Sequence, residues 1–292
     1  MLRAIVRQGA LRGAVASAAG AFAVGTAAWA RCDAPPARVQ PPPRGPASAA
    51  AAAEAEANGD LTARNLDVNI ARVEDWKATI ERAKAAWSAG ERLQAEVELR
   101  AALEKASYFG NESPPVATSM HNLAELLRRT GRVAESIPLY ERALSLFEKT
   151  AGPAHRTTTT CLLALAAIRE DGGDVTAAAE LYARAATTLR EAVAEEPKKS
   201  PALAAILVRL GEAHASAGRL GEAERALSEA VRICVARWGA ASPRSVQPRL
   251  LLAQLAHRMG DSARARAEAT AALGASPTDA QRAKLDELLA RC

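Results

Sequence analysis

Aromatic residues are nearly absent from this 292-residue chain: they form 3% of it, against 49% for all apolar types. A β-sandwich or barrel would need Val, Ile, Tyr and Phe to fill its pleated faces, whereas Ala and Leu dominate here. The scarcity argues for helices held close together through small side chains. Paired cysteines are missing too. Cys32, Cys161, Cys234 and Cys292 lie 129, 73 and 58 residues apart, with no CxxC pair and no metal-ligand spacing, so neither a disulfide framework nor a zinc site is expected. Cys161 and Cys234 fall on apolar helical pattern and read as small buried core residues. Catalytic signatures are lacking as well. No glycine–lysine phosphate loop, HExxH pair, nucleophile elbow or GxGxxG turn occurs. The four histidines, His121, His155, His214 and His257, are scattered over separate segments. The sequence therefore predicts a protein that is not an enzyme, without cofactor or metal.

Acidic residues are absent from the first 32 positions, which carry Arg3, Arg7, Arg12 and Arg31; the first acid is Asp33. The rest of the chain holds 34 basic and 33 acidic residues, so the body is nearly neutral. A nucleic-acid binder would need a basic face on that body, and no nucleic-acid partner is expected. In the first twelve residues Leu2, Ile5 and Val6 share one helical face and Arg3 and Arg7 another, the composition of a mitochondrial presequence. Residues 13–30 then run without a charge, just long enough to span a bilayer, though their Ala and Gly would make a weak anchor. Two alternatives stay open. Ala28-Trp29-Ala30 fits a secretory cleavage site, and a plastid transit peptide shares the composition. Residues 1–32 are read as a targeting segment, to the mitochondrial inner membrane or intermembrane space in the preferred reading. Residues 33–60, with six prolines and an Ala tract, read as a semi-rigid spacer. The remainder, 61–292, is the folded body.

That body repeats. Gly90, Gly131, Gly173, Gly218 and Gly260 each separate two apolar-periodic runs, at intervals of 41, 42, 45 and 42 residues. Seven residues before each stands Ala83, Ala124, Ala166, Gly211 or Ala253; five after, Ala95, Ser136, Ala178, Ala223 or Ala265. Twelve after, the residue is always Ala: Ala102, Ala143, Ala185, Ala230 and Ala272. Antiparallel helices can approach closely only where the contact points carry little side chain, and the Gly frees the backbone to turn between them. Each unit is then a helical hairpin that cannot bury its apolar face without a neighbour. The spacing predicts pairs at 73–88/91–108, 115–129/133–150, 157–171/174–195, 201–217/220–238 and 246–259/261–274. A last helix, 278–291, capped by Thr278 or Asp279, would cover the final repeat with Leu285, Leu288 and Leu289.

The pattern resembles the tetratricopeptide (TPR) repeat, and its 42-residue period resembles the subtype found in kinesin light chains. The residues that carry the likeness are Asn122-Leu123-Ala124, Gly131, Pro138, Tyr140, Ala143 and the "GPAH" connector at 152–155, with "GRLGEAERALSEAV" at 218–231. No long heptad region accompanies them, so the likeness is to the repeat and not to a kinesin light chain itself. It implies an all-α, right-handed solenoid of about five helical hairpins with a C-terminal capping helix. It also implies a concave face lined by the first helix of each pair, where a protein or peptide partner would lie. The positions three, six, nine and ten before each turn Gly then nominate Lys84, His121, Asn122, Glu125, Arg128, Leu163, Arg209, Glu212, Gln254 and His257; Lys77, two turns before Lys84, is nominated with them, and Ala164 and Ala167 complete an apolar floor. Three functions fit this layout. The first is an interaction scaffold or adaptor at a mitochondrial membrane, anchored through 13–30. The second is a structural or assembly subunit of a large mitochondrial complex. The third is a secreted or periplasmic peptide-binding module.

Overall fold

The computed structural model describes residues 49–152, 155–193 and 200–292, and every regular element among them is helical. The chain divides into two units, 1–46 and 47–292. The expected targeting segment 1–32, its uncharged stretch 13–30 and spacer residues 33–48 lie outside the described residues. Eleven helices follow in order: α1 (Ala49–Ser88), α2 (Arg92–Ser107), α3 (Pro114–Arg129), α4 (Val133–Thr150), α5 (Arg156–Asp171), α6 (Val175–Ala192), α7 (Pro201–Ser216), α8 (Leu220–Trp238), α9 (Val246–Arg258), α10 (Ser262–Leu273) and α11 (Asp279–Arg291). They reproduce the expected boundaries to within three residues, except at one end. Helix α1 starts at Ala49, so residues 49–60 are helical where a spacer was expected. The reason is local. Past Pro46 the tract is mostly Ala with Glu54 and Glu56, strong helix formers that carry the helix through Asn58-Gly59.

Odd-numbered helices from α1 to α9 are the first members (A) of each hairpin, even-numbered ones the second (B). All five turns share one geometry. The turn glycines have φ between +75° and +85°, a region closed to most side chains. The following residue (Glu91, Arg132, Asp174, Arg219 or Asp261) donates its N–H, each time at 2.9 Å, to the carbonyl five residues earlier. This satisfies a carbonyl that the helix end leaves open. The same residue starts helix B, and Asp174 and Asp261 also accept from the N–H three residues on, at 3.0 and 2.9 Å. A second set of glycines, of which the sequence reading singles out only Gly152 in its connector, joins one repeat to the next. Gly110, Gly152 and Gly239 have φ of +94°, +87° and +88° and each precedes a turn Gly by 21 residues, half the period. After two of these joints, and again before α7, a Ser-Pro pair opens the next helical segment: Ser113-Pro114, Ser242-Pro243 and Ser200-Pro201. Ser200 and Ser242 supply a cap oxygen, accepting from the N–H of Leu203 and Arg244, whereas the Ser113 hydroxyl makes no such bond; Pro occupies the first helical position, where its missing N–H is not needed.

The predicted contact points are where the helices touch. Of the fifteen small residues at the three offsets, fourteen are 0% exposed, and Gly211 is buried with them. Cys161 and Cys234 are buried as expected. At the C-terminal end Leu285 and Leu288 of α11 pack on Val246, Leu250 and Ala272, and Thr278 and Gln281 form a reciprocal cap at its start. B helices of successive repeats are also linked by ion pairs, Glu148–Arg184 at 2.7 Å, Arg190–Glu229 at 3.1 Å and Glu224–Arg264. Exposed pairs of this kind contribute at most about 1 kcal/mol each, so packing carries the stability.

Gly211 tests that statement. A Cβ built there would lie 2.6 Å from Cγ and 2.8 Å from Cδ2 of Leu227, which is itself buried. Gly211→Ala should therefore destabilise the fold by about 1–3 kcal/mol, although Ala is the better helix former. Adding Leu227→Ala should remove most of that penalty, read as a coupling in a double-mutant denaturation cycle. A stabilised Gly211→Ala protein would contradict the packing.

Candidate functional site

The A helices stand side by side, and each is tied to the next by a different contact about one period away. Trp76 Nε1 donates to Ser119 Oγ at 2.9 Å, from α1 to α3. His121 Nδ1 meets Cys161 Sγ at 3.3 Å, from α3 to α5. Arg209 on α7 donates to Glu170 on α5 at 2.6 Å, and Arg258 on α9 to the Ala215 carbonyl on α7 at 3.4 Å. The His121–Cys161 contact fixes directions around each A helix. The position ten before the turn Gly points at the neighbouring A helix, and the position nine before it lies 100° further round. Ile80 and Leu250, at ten before, are buried, and Leu163 and Val208 are packed against the core. The face left open is formed by the positions nine and six before the Gly, except on α3, where both are buried.

The nominated residues divide accordingly. Lys77 is exposed, and Lys84 pairs with Glu81 at 2.7 Å. His121, Asn122 and Glu125 are only 9%, 8% and 8% exposed, more deeply set than a row of groove contacts would be. Arg128, Arg209, Glu212, Gln254 and His257 are half-buried, as are Leu163, Ala164 and Ala167. His257 Nδ1 lies 3.4 Å from Cys292 Sγ. Among the described residues, the Asn122 amide has no hydrogen-bond partner.

Glu125 is the centre of an internal network. It accepts from Arg128 at 2.9 Å, from Arg129 at 2.5 Å and from the Tyr140 hydroxyl at 2.5 Å. Burial alone would raise its carboxyl pKa, but these three donors outweigh burial and hold it at about 2. Burial pushes the Tyr140 hydroxyl up and lowers His121 to about 4, so His121 is a neutral ring, edge-on to Tyr140 at 5.5 Å. Arg129 lies 5.9 Å from the Trp87 ring centre and carries the network to α1. A related arrangement follows in the next repeat, where the Tyr182 hydroxyl donates to Glu170 at 2.9 Å and Glu170 also receives Arg209. Sequence reading missed Tyr140, Tyr182, Glu170 and Arg129. The available signal was register: Tyr140 and Tyr182 both stand nine residues after a turn Gly, facing a carboxylate on the paired helix.

Residues 115–191 match the family model of the tetratricopeptide repeat. Among solved structures the chain is similar to BtubC (BKLC) of P. vanneervenii, at 21% identity and a TM-score of 0.58, covering 81% of this chain and 90% of that one. It is also similar to a Podospora anserina protein, described as a kinesin light chain with nearly identical TPR-like repeats, at 22% identity and a TM-score of 0.57, over 71% and 95% of the two chains. PilF of Pseudomonas aeruginosa aligns at 15% identity with a TM-score of 0.50, over 76% and 90%. No curated protein sequence matches the chain. At these identities the likeness establishes the fold.

The buried imidazole gives the network a pH signature. The unfolded chain takes up a proton at residue 121 below pH 6.5, whereas the folded chain does so only near pH 4. Stability is therefore full above pH 6.5 and falls as pH drops toward 4, by up to about 1.4 kcal/mol per pH unit. His214, also lowered by burial, acts in the same sense, Glu212, raised by burial, acts in the opposite one, and the stabilisation from Glu125 is lost only below pH 4.5. Denaturant midpoints of His121→Leu at pH 7, 6 and 5 should show a shallower fall than those of the unaltered protein. An equal slope in both would show that His121 is not the buried neutral group described.

Proposed function

We propose that this chain, a tetratricopeptide-repeat solenoid with repeats of the kinesin-light-chain type, is a non-catalytic scaffold. On this reading it holds an extended segment of a partner protein across its A helices, at a mitochondrial membrane. The open face carries the proposal. Every other side of an A helix is occupied by its own B helix or by the neighbouring repeats, while the positions nine and six before the turn Gly remain uncovered on α5, α7 and α9. The unpartnered Asn122 amide at the edge of that face suits a backbone carbonyl or N–H of a bound segment. Mitochondrial delivery is supported by the arginines of the acid-free first 32 residues. Among the described residues no helix is long and apolar enough to cross a membrane, and the proposed anchor 13–30 lies outside them.

A second reading, a subunit built into a larger assembly, has its own observation. On the outer side of α2, Leu93 and Val97 are 82% and 59% exposed, three and seven residues after the turn Gly. The other repeats place Ala134 and Pro138, Thr176 and Glu180, Gly221 and Arg225, and Ala263 and Ala267 there. Solenoid packing asks for no large apolar side chain at these positions, and a fixed neighbour would.

Blocking the two surfaces separately decides between the readings. Ala164→Gln with Ala167→Gln fills the A-helix face without adding charge, and should remove a specific partner from material captured out of mitochondrial extract. Ala263→Gln, on the outer side of α10, should not. Loss with Leu93→Gln and Val97→Gln, but not with the face-filling pair, would favour the assembly subunit instead. The address is tested independently: residues 1–32 should carry a fluorescent reporter into mitochondria, and replacing Arg3, Arg7 and Arg12 with Glu should stop it. Delivery to the secretory pathway or a plastid, or import indifferent to the charge reversal, would overturn the localisation.

A further inference from the structure

The open face changes chemistry from repeat to repeat. At nine and six before the turn Gly, α3 carries Asn122 and Glu125, α7 carries Arg209 and Glu212, and α5 between them carries only Ala164 and Ala167. Both alanines are half-exposed. Two methyl groups between longer polar neighbours make this stretch of the face small and apolar, with half-buried Leu163 beside it. Charge differs on its two sides. On the α3 side one carboxylate, Glu125, is shared by the guanidinium groups of Arg128 and Arg129. On the α7 side the ratio reverses: Arg209 alone lies between two carboxylates, 2.6 Å from Glu170 and 3.3 Å from Glu212. Glu170 also receives the Tyr182 hydroxyl at 2.9 Å, whereas among the described residues Glu212 has only the longer Arg209 contact. Burial pushes the Glu212 carboxyl above its ordinary pKa, and the charges that bear on it are those of Arg209 and Glu170. Glu212 is thus a desolvated carboxylate short of positive charge, next to an apolar stretch of the face.

We infer that the segment bound on this face places a bulky apolar side chain over Ala164 and Ala167 and a lysine or arginine against Glu212; this rests on the reading of the face as a partner groove. The cation supplies the charge that Arg209 divides between two carboxylates, and an acidic side chain there would stand as a third anion beside them. Spacing follows from the fold. Packed helix axes lie about 8–10 Å apart, and an extended chain advances about 3.3 Å per residue. The cation therefore stands about three residues from the apolar anchor.

The test uses random peptides displayed on phage and selected on the immobilised full-length chain. Expected is enrichment of a large apolar residue with Lys or Arg about three positions away. One selected peptide, followed by fluorescence anisotropy, should bind about tenfold more weakly to Glu212→Gln, the effect of losing one charge-assisted contact. Its binding should be abolished by Ala167→Gln and unchanged by Ala263→Gln, with thermal melts confirming that each variant is folded. Peptides that are lost with Ala167→Gln yet carry no cation, or are indifferent to Glu212→Gln, would overturn the inference and leave the groove standing. Binding indifferent to Ala167→Gln as well would overturn the groove, and this inference with it.

Discussion

Two helices can lie against each other at short range only where the facing positions carry almost no side chain, and this chain meets that condition at the same three places in each of its repeats. Everything else depends on it. Ala83, Ala102 and Ala95 and their equivalents make no large individual contribution to apolar burial, yet they let the backbones of each hairpin approach until the flanking Leu, Tyr and Phe side chains interlock. The shortage of aromatics is then a consequence rather than a weakness. A close-packed hairpin leaves little volume to fill, and what volume there is falls to residues such as Tyr140, Leu146 and Leu162.

The same economy of volume shapes the candidate site. Because the small residues direct each A helix against its own B helix, the opposite side of the A helix is left over, and the lateral ties between A helices decide how much of it stays open. In the second repeat His121 ties α3 to α5 while Glu125, Arg128, Arg129 and Tyr140 interlock within the hairpin, and the face there is nearly closed. In the third it is bare, because alanines stand where the second repeat has Asn and Glu. The open face is thus uneven, a rigid polar stretch next to a shallow apolar one, built on identical backbones.

How much of this could be read from residues alone follows from the range of the forces involved. The hairpins were legible because the turn Gly and the three small positions recur at fixed offsets, and steric exclusion acts within a single unit. The cap on the last repeat was legible for the same reason. The face was only partly legible. Positions ten and nine before the Gly are adjacent in sequence but 100° apart on the helix, so His121 turned toward Cys161 while Asn122 remained at the rim. Glu125 looked like a groove residue because its acceptors are free in sequence, whereas its three donors come from two helices and converge only after packing. Gly152 was legible as part of one connector, but the recurrence of Gly110, Gly152 and Gly239 at the half-period was not, because the joint before α7 lacks a glycine, having Pro197 at the corresponding position.

The lateral ties carry a consequence for how such a chain can change over time. Backbones of the five hairpins are interchangeable, but the links between them are not: Trp to Ser, His to Cys, Arg to Glu, Arg to a carbonyl. Excise the third hairpin whole, and the geometry would close up again with Ile206 in the place of Cys161, leaving the His121 ring against a methyl group and Arg209 without Glu170. Each junction acts as a key cut for one neighbour. The chain looks like beads that could be restrung in any order, yet its sequence records a single permitted order, so duplication or loss of a unit would have to be followed by re-cutting two keys before the string held together as well as before.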